Sequence, residues 1–325
     1  MIFARALAAG VLAASIFAGG GAVAQTYPAR PITLICPFPP GGATDAISRI
    51  IQDAMAKSLG QTIVIENVGG AGGSIAAARA ARADKDGYTI LIHQVALAAS
   101  LTMYPNLSYT EKDFAPIGLI NTAASVFAAR PNLPANDLRE LVAWMKEHGH
   151  SVKMGHAGVG SYGHLAGVLV SQELGVAPTQ IPYRGAGPAT VDLLAGQVDL
   201  ESLSAVSAGP LVKTGKLKAY AAIGRKRFAG LPDLPTMGEL GYKKLDLDFW
   251  HMLLAPAGTP RPIIDKVNLA LRAAVADERV KRTFAEGGMD LFPSDEMTPE
   301  AAGALLTREI KLWGDVIKQN GITGG

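Results

Sequence analysis

Apolar and polar positions along this chain repeat one unit, in which a short apolar strand runs into a glycine-rich turn that opens onto an amphipathic helix. Ile32 to Pro37 forms the first strand. The segment from Thr44 to Leu59 sets Ile47, Ile50, Ile51 and Met55 on one helical face, with Gly60 as its stop. A strand at Thr62 to Glu66, a turn at Gly69 to Gly73, a helix to about Ala83 and a strand at Thr89 to His93 follow. This β-α-β-α-β order predicts a parallel sheet covered by helices.

The pattern restarts beyond Phe114, with a strand at Ser125 to Ala129 and a helix at Leu138 to His148. A second glycine unit spans Lys153 to His164 and feeds a helix through Leu174. It is followed by a strand ending at Tyr183-Arg184, a helix from Pro188 to Ala195, and strands near Val198 to Leu200 and Leu217 to Ile223. After a turn-rich stretch from Phe228 to Gly241 and an apolar run from Phe249 to Ala255, helices are expected at Ile263 to Ala276, Glu278 to Glu286 and Pro299 to Gln319. They bring no strands of their own and should return to the first sheet. The predicted fold class is α/β with two lobes, each a mainly parallel sheet flanked by helices. Lobe 1 is expected from 25–124 and 249–325, lobe 2 from 125–248, with crossovers near 121–127 and 246–252.

Each glycine turn delivers a helix N-terminus, which carries unpaired N–H groups and partial positive charge, and glycine lets a ligand approach that backbone closely. Phe38, Pro40, Gly41, Gly42 and Ala43 make one candidate anion seat, and Gly158, Gly160, Ser161, Tyr162 and His164 the facing one. Two seats suggest capture of a small anion between the lobes.

The first 24 residues read as a cleaved secretory signal. Arg5 supplies the positive start, Ala6 to Ala18 an apolar stretch too short to span a bilayer, and Ala22-Val23-Ala24 the cleavage pattern. The chain is expected to be exported, with the mature chain beginning near Gln25. The remaining roughly 300 residues are too many for one average core. Lys and Arg number 30 against 28 Asp and Glu, a balance that excludes an electrostatic footprint for nucleic acid. No later apolar run is long enough for membrane insertion of the mature chain. The single cysteine, Cys36, permits no intrachain disulfide and reads as a small buried hydrophobe.

Enzyme chemistry finds little support. Gly158-x-Gly160-x-x-Gly163 has the form of a dinucleotide fingerprint, and Arg184 after the next strand could read a 2′-phosphate, so an exported NADP-binding oxidoreductase is the alternative. A turn built for a smaller anion explains the same glycines. Ser161 lies close to a Gly-x-Ser-x-Gly elbow, but Val159 stands where the first glycine is needed, and no histidine–acid pair is nominated. An N-cap or a hydroxyl donor is the better reading of Ser161. Asp45 reads as a first-turn carboxylate offsetting the helix dipole. The six histidines form no metal motif. Trp250 reads as core, and Tyr162 as a ligand wall.

The sequence resembles the periplasmic substrate-binding receptors of tripartite tricarboxylate transporters, the Bug family. The resemblance rests on Tyr27-Pro28-Ala29-Arg30-Pro31-Ile32, Pro40-Gly41-Gly42-Ala43-Thr44-Asp45, Asp86-Gly87-Tyr88-Thr89, Pro182-Tyr183-Arg184-Gly185, Gly196-Gln197-Val198-Asp199 and Leu254-Ala255-Pro256-Ala257-Gly258-Thr259-Pro260, in that order and spacing. It implies a two-lobed, type II-like periplasmic binding protein with no cofactor and no catalysis. Such a receptor closes on an organic carboxylate, held largely by backbone N–H groups and water, and delivers it to membrane permease subunits. A ligand-sensing accessory of a signalling system is the rival class. His93, Gln94, Arg184 and Ser204 are the candidate side-chain contacts. Many relatives carry an aspartate where this chain has Leu203, and a serine- and threonine-rich loop where it has His93 to Leu97. With Phe38 and Tyr162, these departures favour a dicarboxylate with an apolar or aromatic body, such as terephthalate.

Overall fold

The computed structural model describes residues 27–323 except Asp248. The expected signal at 1–24 lies outside the described residues. Chain order is β1 (Ile32–Cys36), α1 (Ala43–Leu59), β2 (Ile63–Asn67), α2 (Ser74–Ala81), β3 (Thr89–Gln94), α3 (Val95–Met103), β4 (Phe114–Ala123), β5 (Ser125–Ala129), α4 (Leu138–His148), β6 (Lys153–His156) and α5 (Tyr162–Leu174). It continues with β7 (Thr179–Pro182), α6 (Ala186–Ala195), β8 (Leu200–Ser204), α7 (Ala205–Lys213), β9 (Lys218–Ile223), β10 (Phe249–Pro256), α8 (Arg261–Ala276), α9 (Glu278–Glu286), β11 (Met289–Leu291) and α10 (Pro299–Gln319).

Local chemistry explains the first helix. Ile47, Ile51, Met55 and Leu59 form its buried stripe, and Gly60 ends it in the left-handed region with its N–H on the Ala56 carbonyl. Two helices depart from the sequence expectation. The segment after β3 is the helix α3, buried nearly all round, so it shows no amphipathic period to read. Helix α7 holds Gly209 and Pro210, which read as breakers, yet packing keeps it helical.

One sheet has the order β11-β4-β10-β3-β1-β2 and the other β7-β6-β8-β5-β9. Both sheets are mixed rather than mainly parallel. β1 pairs in parallel with β2 and β3, and β6 with β7 and β8. β10 is antiparallel to β3 and β4, and β5 to β8 and β9. The cause is the chain path: β5 and β10 each enter a sheet from the other lobe, so they start at the interlobe edge where the β-α-β strands end. Between β4 and β5 only Ala124 intervenes.

The larger apolar core fills the first lobe and one face of the second sheet; a smaller one, with Val126, Ala128, Leu193, Leu203 and Phe228, fills the other face. β10 is buried along its whole length. Its Trp250 and Trp313 of α10 both donate indole N–H bonds, 2.8 and 3.1 Å, to Glu309 Oε2, which ties the last helix to the central strand.

Candidate functional site

Five helix N-termini converge between the sheets. A cavity there is lined by Gly42, Ala43 and Thr44 at the start of α1, Gln94 at the N-cap of α3, and Ser161, Tyr162 and Gly163 at the start of α5. Ala186 opens α6, and Ser204 is the N-cap of α7. Phe38, Ala157, Phe249 and residues Glu201, Ser202 and Leu203 of β8 complete the lining. The free volume open to water centres is about 60 Å³, several times the roughly 10–15 Å³ that one water needs. No lysine or arginine lines it, so a bound anion would meet helix dipoles, backbone N–H groups and hydroxyls.

The caps leave donors free. Ser161 Oγ accepts from His164 N at 3.3 Å, Gln94 Oε1 from Ala96 N at 2.9 Å and Ser204 Oγ from Ser207 N at 3.4 Å. Gly42 and Gly185 give α1 and α6 no side-chain cap. The Ser202 hydroxyl is buried without a partner among the described residues. Aromatic rings cover the apolar side: Tyr162 packs on Phe249 with centroids 4.6 Å apart, and Phe249 on His251 at 4.7 Å. The Tyr162 hydroxyl accepts from Ser125 Oγ at 3.2 Å and donates to the Leu247 carbonyl at 3.4 Å, so this wall residue touches both interlobe connections.

Of the residues singled out from the sequence, Phe38, Gly42, Ala43, Gln94, Ser161, Tyr162 and Ser204 line the cavity. Pro40 and Gly41 are exposed at its edge, and Gly41 N–H donates to Asp45 Oδ2. Burial acts to raise the Asp45 carboxyl, but the Arg49 guanidinium, the Asn67 amide and the Gly41 N–H hold it below its ordinary value. Arg184 is exposed and makes no side-chain bond among the described residues.

Gly158 and Gly160 face the other lobe. A Cβ on Gly160 (φ +82°) would lie 3.0 Å from Met103 Sδ, and one on Gly72 (φ +62°) would run into the Val159 carbonyl oxygen. Tyr104 Oη donates to that same oxygen at 3.0 Å. The glycines of the fingerprint-like loop thus let two backbones meet across the lobes.

His93 and His164 lie behind the loops. His93 packs edge-on to Phe38, and His164 packs against His156 with the rings tilted by 38° and centroids 4.5 Å apart, while its Nδ1 accepts from Gly160 N. Burial pulls both imidazoles down to about 4, and His156 and His251 to about 3. They sit neutral, as packed polar groups. Cys36 is fully buried, and burial lifts its thiol to about 11.

A model of the tripartite tricarboxylate transporter family receptor matches residues 47–322 of the chain. The chain belongs to this receptor family. The periplasmic binding protein BugD superposes with a TM-score of 0.89 at 37% identity, over 91% of this chain and 99% of that one. MatC from Rhodopseudomonas palustris with bound malate gives 0.86 at 35% identity, over 90% and 100%. An R. palustris protein with adipate gives 0.86 at 29%, over 91% and 99%. The fold is therefore the two-lobed fold of periplasmic binding proteins, and no helix among the described residues is long and apolar enough to cross a membrane.

In this receptor the sequence reading missed Thr44, Ala157, Gly163, Ala186, Glu201, Ser202 and Phe249. Glu201 alone gave a signal, since a carboxylate inside a strand covered by helices on both faces must be paired or neutral. Leu203, read from the sequence as a ligand determinant, lines the cavity and also packs in the smaller core with Val126 and Leu193. That packing accounts for its apolar character.

Proposed function

We propose that this receptor captures an organic dicarboxylate in the periplasm, closes its lobes on it without converting it, and presents it to the membrane subunits of a tripartite tricarboxylate transporter. The convergence of five helix N-termini on a cavity without a cationic side chain carries this reading. Such a lining binds carboxylates through backbone dipoles and hydroxyls rather than ion pairs. The malate and adipate held by the two R. palustris relatives agree with that ligand class.

Within the class, the wall of Phe38, Tyr162 and Phe249 favours a diacid with an apolar or aromatic body, of which terephthalate is the type. The argument rests on these rings, because packing in the smaller core already accounts for the apolar character of Leu203. A thermal-shift panel of malate, citrate, glutamate, adipate, phthalate isomers and terephthalate tests it, since a ligand of the folded state raises its melting temperature. Stabilisation by the dicarboxylates, largest for terephthalate, is expected. Stabilisation by citrate or glutamate alone would overturn the apolar-body preference, and ligand turnover or tight NADP binding would overturn the receptor reading itself.

A further inference from the structure

Glu201 is the one carboxyl-bearing residue in the cavity lining. It sits on β8 opposite Gly155 of β6 and Ala128 of β5, and is 1% exposed. Among the described residues its one side-chain partner is Thr190 of α6, whose single hydroxyl proton is shared between the Ala186 carbonyl at 2.9 Å and Glu201 Oε2 at 3.1 Å. Asp45, in the first turn of α1 beside the cavity, is by contrast satisfied: it holds Arg49, Asn67 and the Gly41 N–H. Glu201 has no cation and no backbone donor. A cavity built of helix N-termini for an anion thus contains a buried carboxyl.

We propose that the Glu201 carboxyl donates a hydrogen bond to a carboxylate of the bound dicarboxylate, and so helps to set the specificity of the site. This rests on the reading of the cavity as a dicarboxylate site. A carboxyl that keeps its proton offers one O–H donor, and an O–H bond to a carboxylate is among the stronger neutral-to-charged hydrogen bonds. An ionised Glu201 would instead face the incoming anion with like charge and no counterion.

The groups around it supply no cation to hold the charged form. From α6 come Thr190 and Asp192, and from the segment after β7 comes Tyr183, whose hydroxyl donates to Asp192 at 2.6 Å. β6 offers Gly155, β5 offers Ala128, and across the cavity α1 offers Thr44 with Asp45 already paired to Arg49. These are acids, a phenol and neutral groups. Burial above all raises the carboxyl well above its ordinary value, and only the Thr190 hydroxyl works against it. The same carboxyl discriminates among ligands: it rewards an acceptor oxygen and leaves an ammonium without an anionic partner, so a dicarboxylate is preferred over an amino acid.

Two variants separate the donor from mere shape. Glu201→Gln keeps a donor and cannot ionise; Glu201→Leu keeps the bulk and loses the donor. Calorimetry with adipate and terephthalate on the full mature chain at pH 6 to 9 reads the difference. Glu201→Gln is expected to bind within about threefold of wild type and independently of pH. Glu201→Leu should bind about ten- to hundredfold more weakly, the range for one hydrogen bond to a charged group. Wild-type affinity should fall as pH rises through the titration of Glu201. Difference infrared spectroscopy of ligand-free wild type against Glu201→Gln should show a protonated carboxyl at pH 7. Adipate and terephthalate binding equally tightly to wild type and Glu201→Leu, or an ionised Glu201 at pH 7, would overturn the proposal while the receptor reading stands. Failure of wild type to bind any dicarboxylate would overturn both.

Discussion

Lowering the pH from 7 to 5 should destabilise this receptor by several kcal/mol, and four buried imidazoles set the size. His93, His156, His164 and His251 titrate at about 4, 3, 4 and 3 in the folded chain, chiefly because burial disfavours the cation. The unfolded value is about 6.5. Because the folded values are depressed, the unfolded state binds more protons between about pH 6.5 and 4, and stability falls as pH drops through that window. At pH 5 the unfolded imidazole lies about 1.5 units below its midpoint, which at about 1.4 kcal/mol per unit is about 2 kcal/mol for each histidine.

Four of them give about 8 kcal/mol. Glu201 works the other way, since its folded value is raised and its stabilising effect grows as pH falls. Over two pH units that returns at most about 3 kcal/mol. The net loss, about 5–8 kcal/mol, is comparable to the whole stability of a typical domain. Urea unfolding at pH 7, 6 and 5, followed by far-UV circular dichroism, reads it as a falling midpoint. His251→Gln should flatten the dependence by about a quarter, because His251 Nδ1 has no partner to lose and glutamine can keep the 3.1 Å contact with Thr44 Oγ1. A midpoint that stays constant from pH 7 to 5, or one that falls identically in His251→Gln, would refute the neutral-histidine account.

Three further outcomes follow from named contacts. Gly42→Val should reduce dicarboxylate binding at least about a hundredfold by calorimetry while changing urea stability by less than about 1 kcal/mol, because valine tolerates its φ of −88° and its Cβ would meet only Ala186 Cβ at 4.0 Å, at the cavity wall. Glu309→Ala leaves two buried indole N–H groups unpaired and should cost about 2–5 kcal/mol in urea unfolding, with Glu309→Gln costing less. Saturating dicarboxylate should compact the wild type in small-angle scattering, and Gly160→Ala, whose methyl would press on Met103, should leave the lobes further apart; identical profiles for the two proteins would show that this contact does not limit closure.

What could be read in advance followed from local periodicity. α1, α9 and α10 carry an apolar stripe between an N-terminal signal and a stop, so short-range chemistry places them. β4 and α3 were missed for the opposite reason: both are buried on more than one side, and a segment apolar all round shows neither a period of two nor one of 3.6. Phe38, Gly42, Ala43, Ser161 and Tyr162 of the cavity lining were visible because a strand, a turn and a helix start are consecutive in sequence. Glu201, Phe249 and Ala186 reach the same cavity from three separate elements. Only the tertiary fold brings them together.

The second glycine loop shows how far a glycine signal reaches. It states that another group comes close to the backbone, and is silent on which group. In Gly158-Val159-Gly160-Ser161-Tyr162-Gly163 the approaching group changes within six consecutive residues. Gly158 and Gly160 meet Gly72 and Met103 of the first lobe, whereas Ser161, Tyr162 and Gly163 line the cavity. The loop that lines the cavity is therefore also the loop that meets the first lobe. Under the proposed function, a dicarboxylate touching Ser161 and Tyr162 would also order the backbone that Tyr104 and Gly72 meet, so closure would need no separate device to sense occupancy.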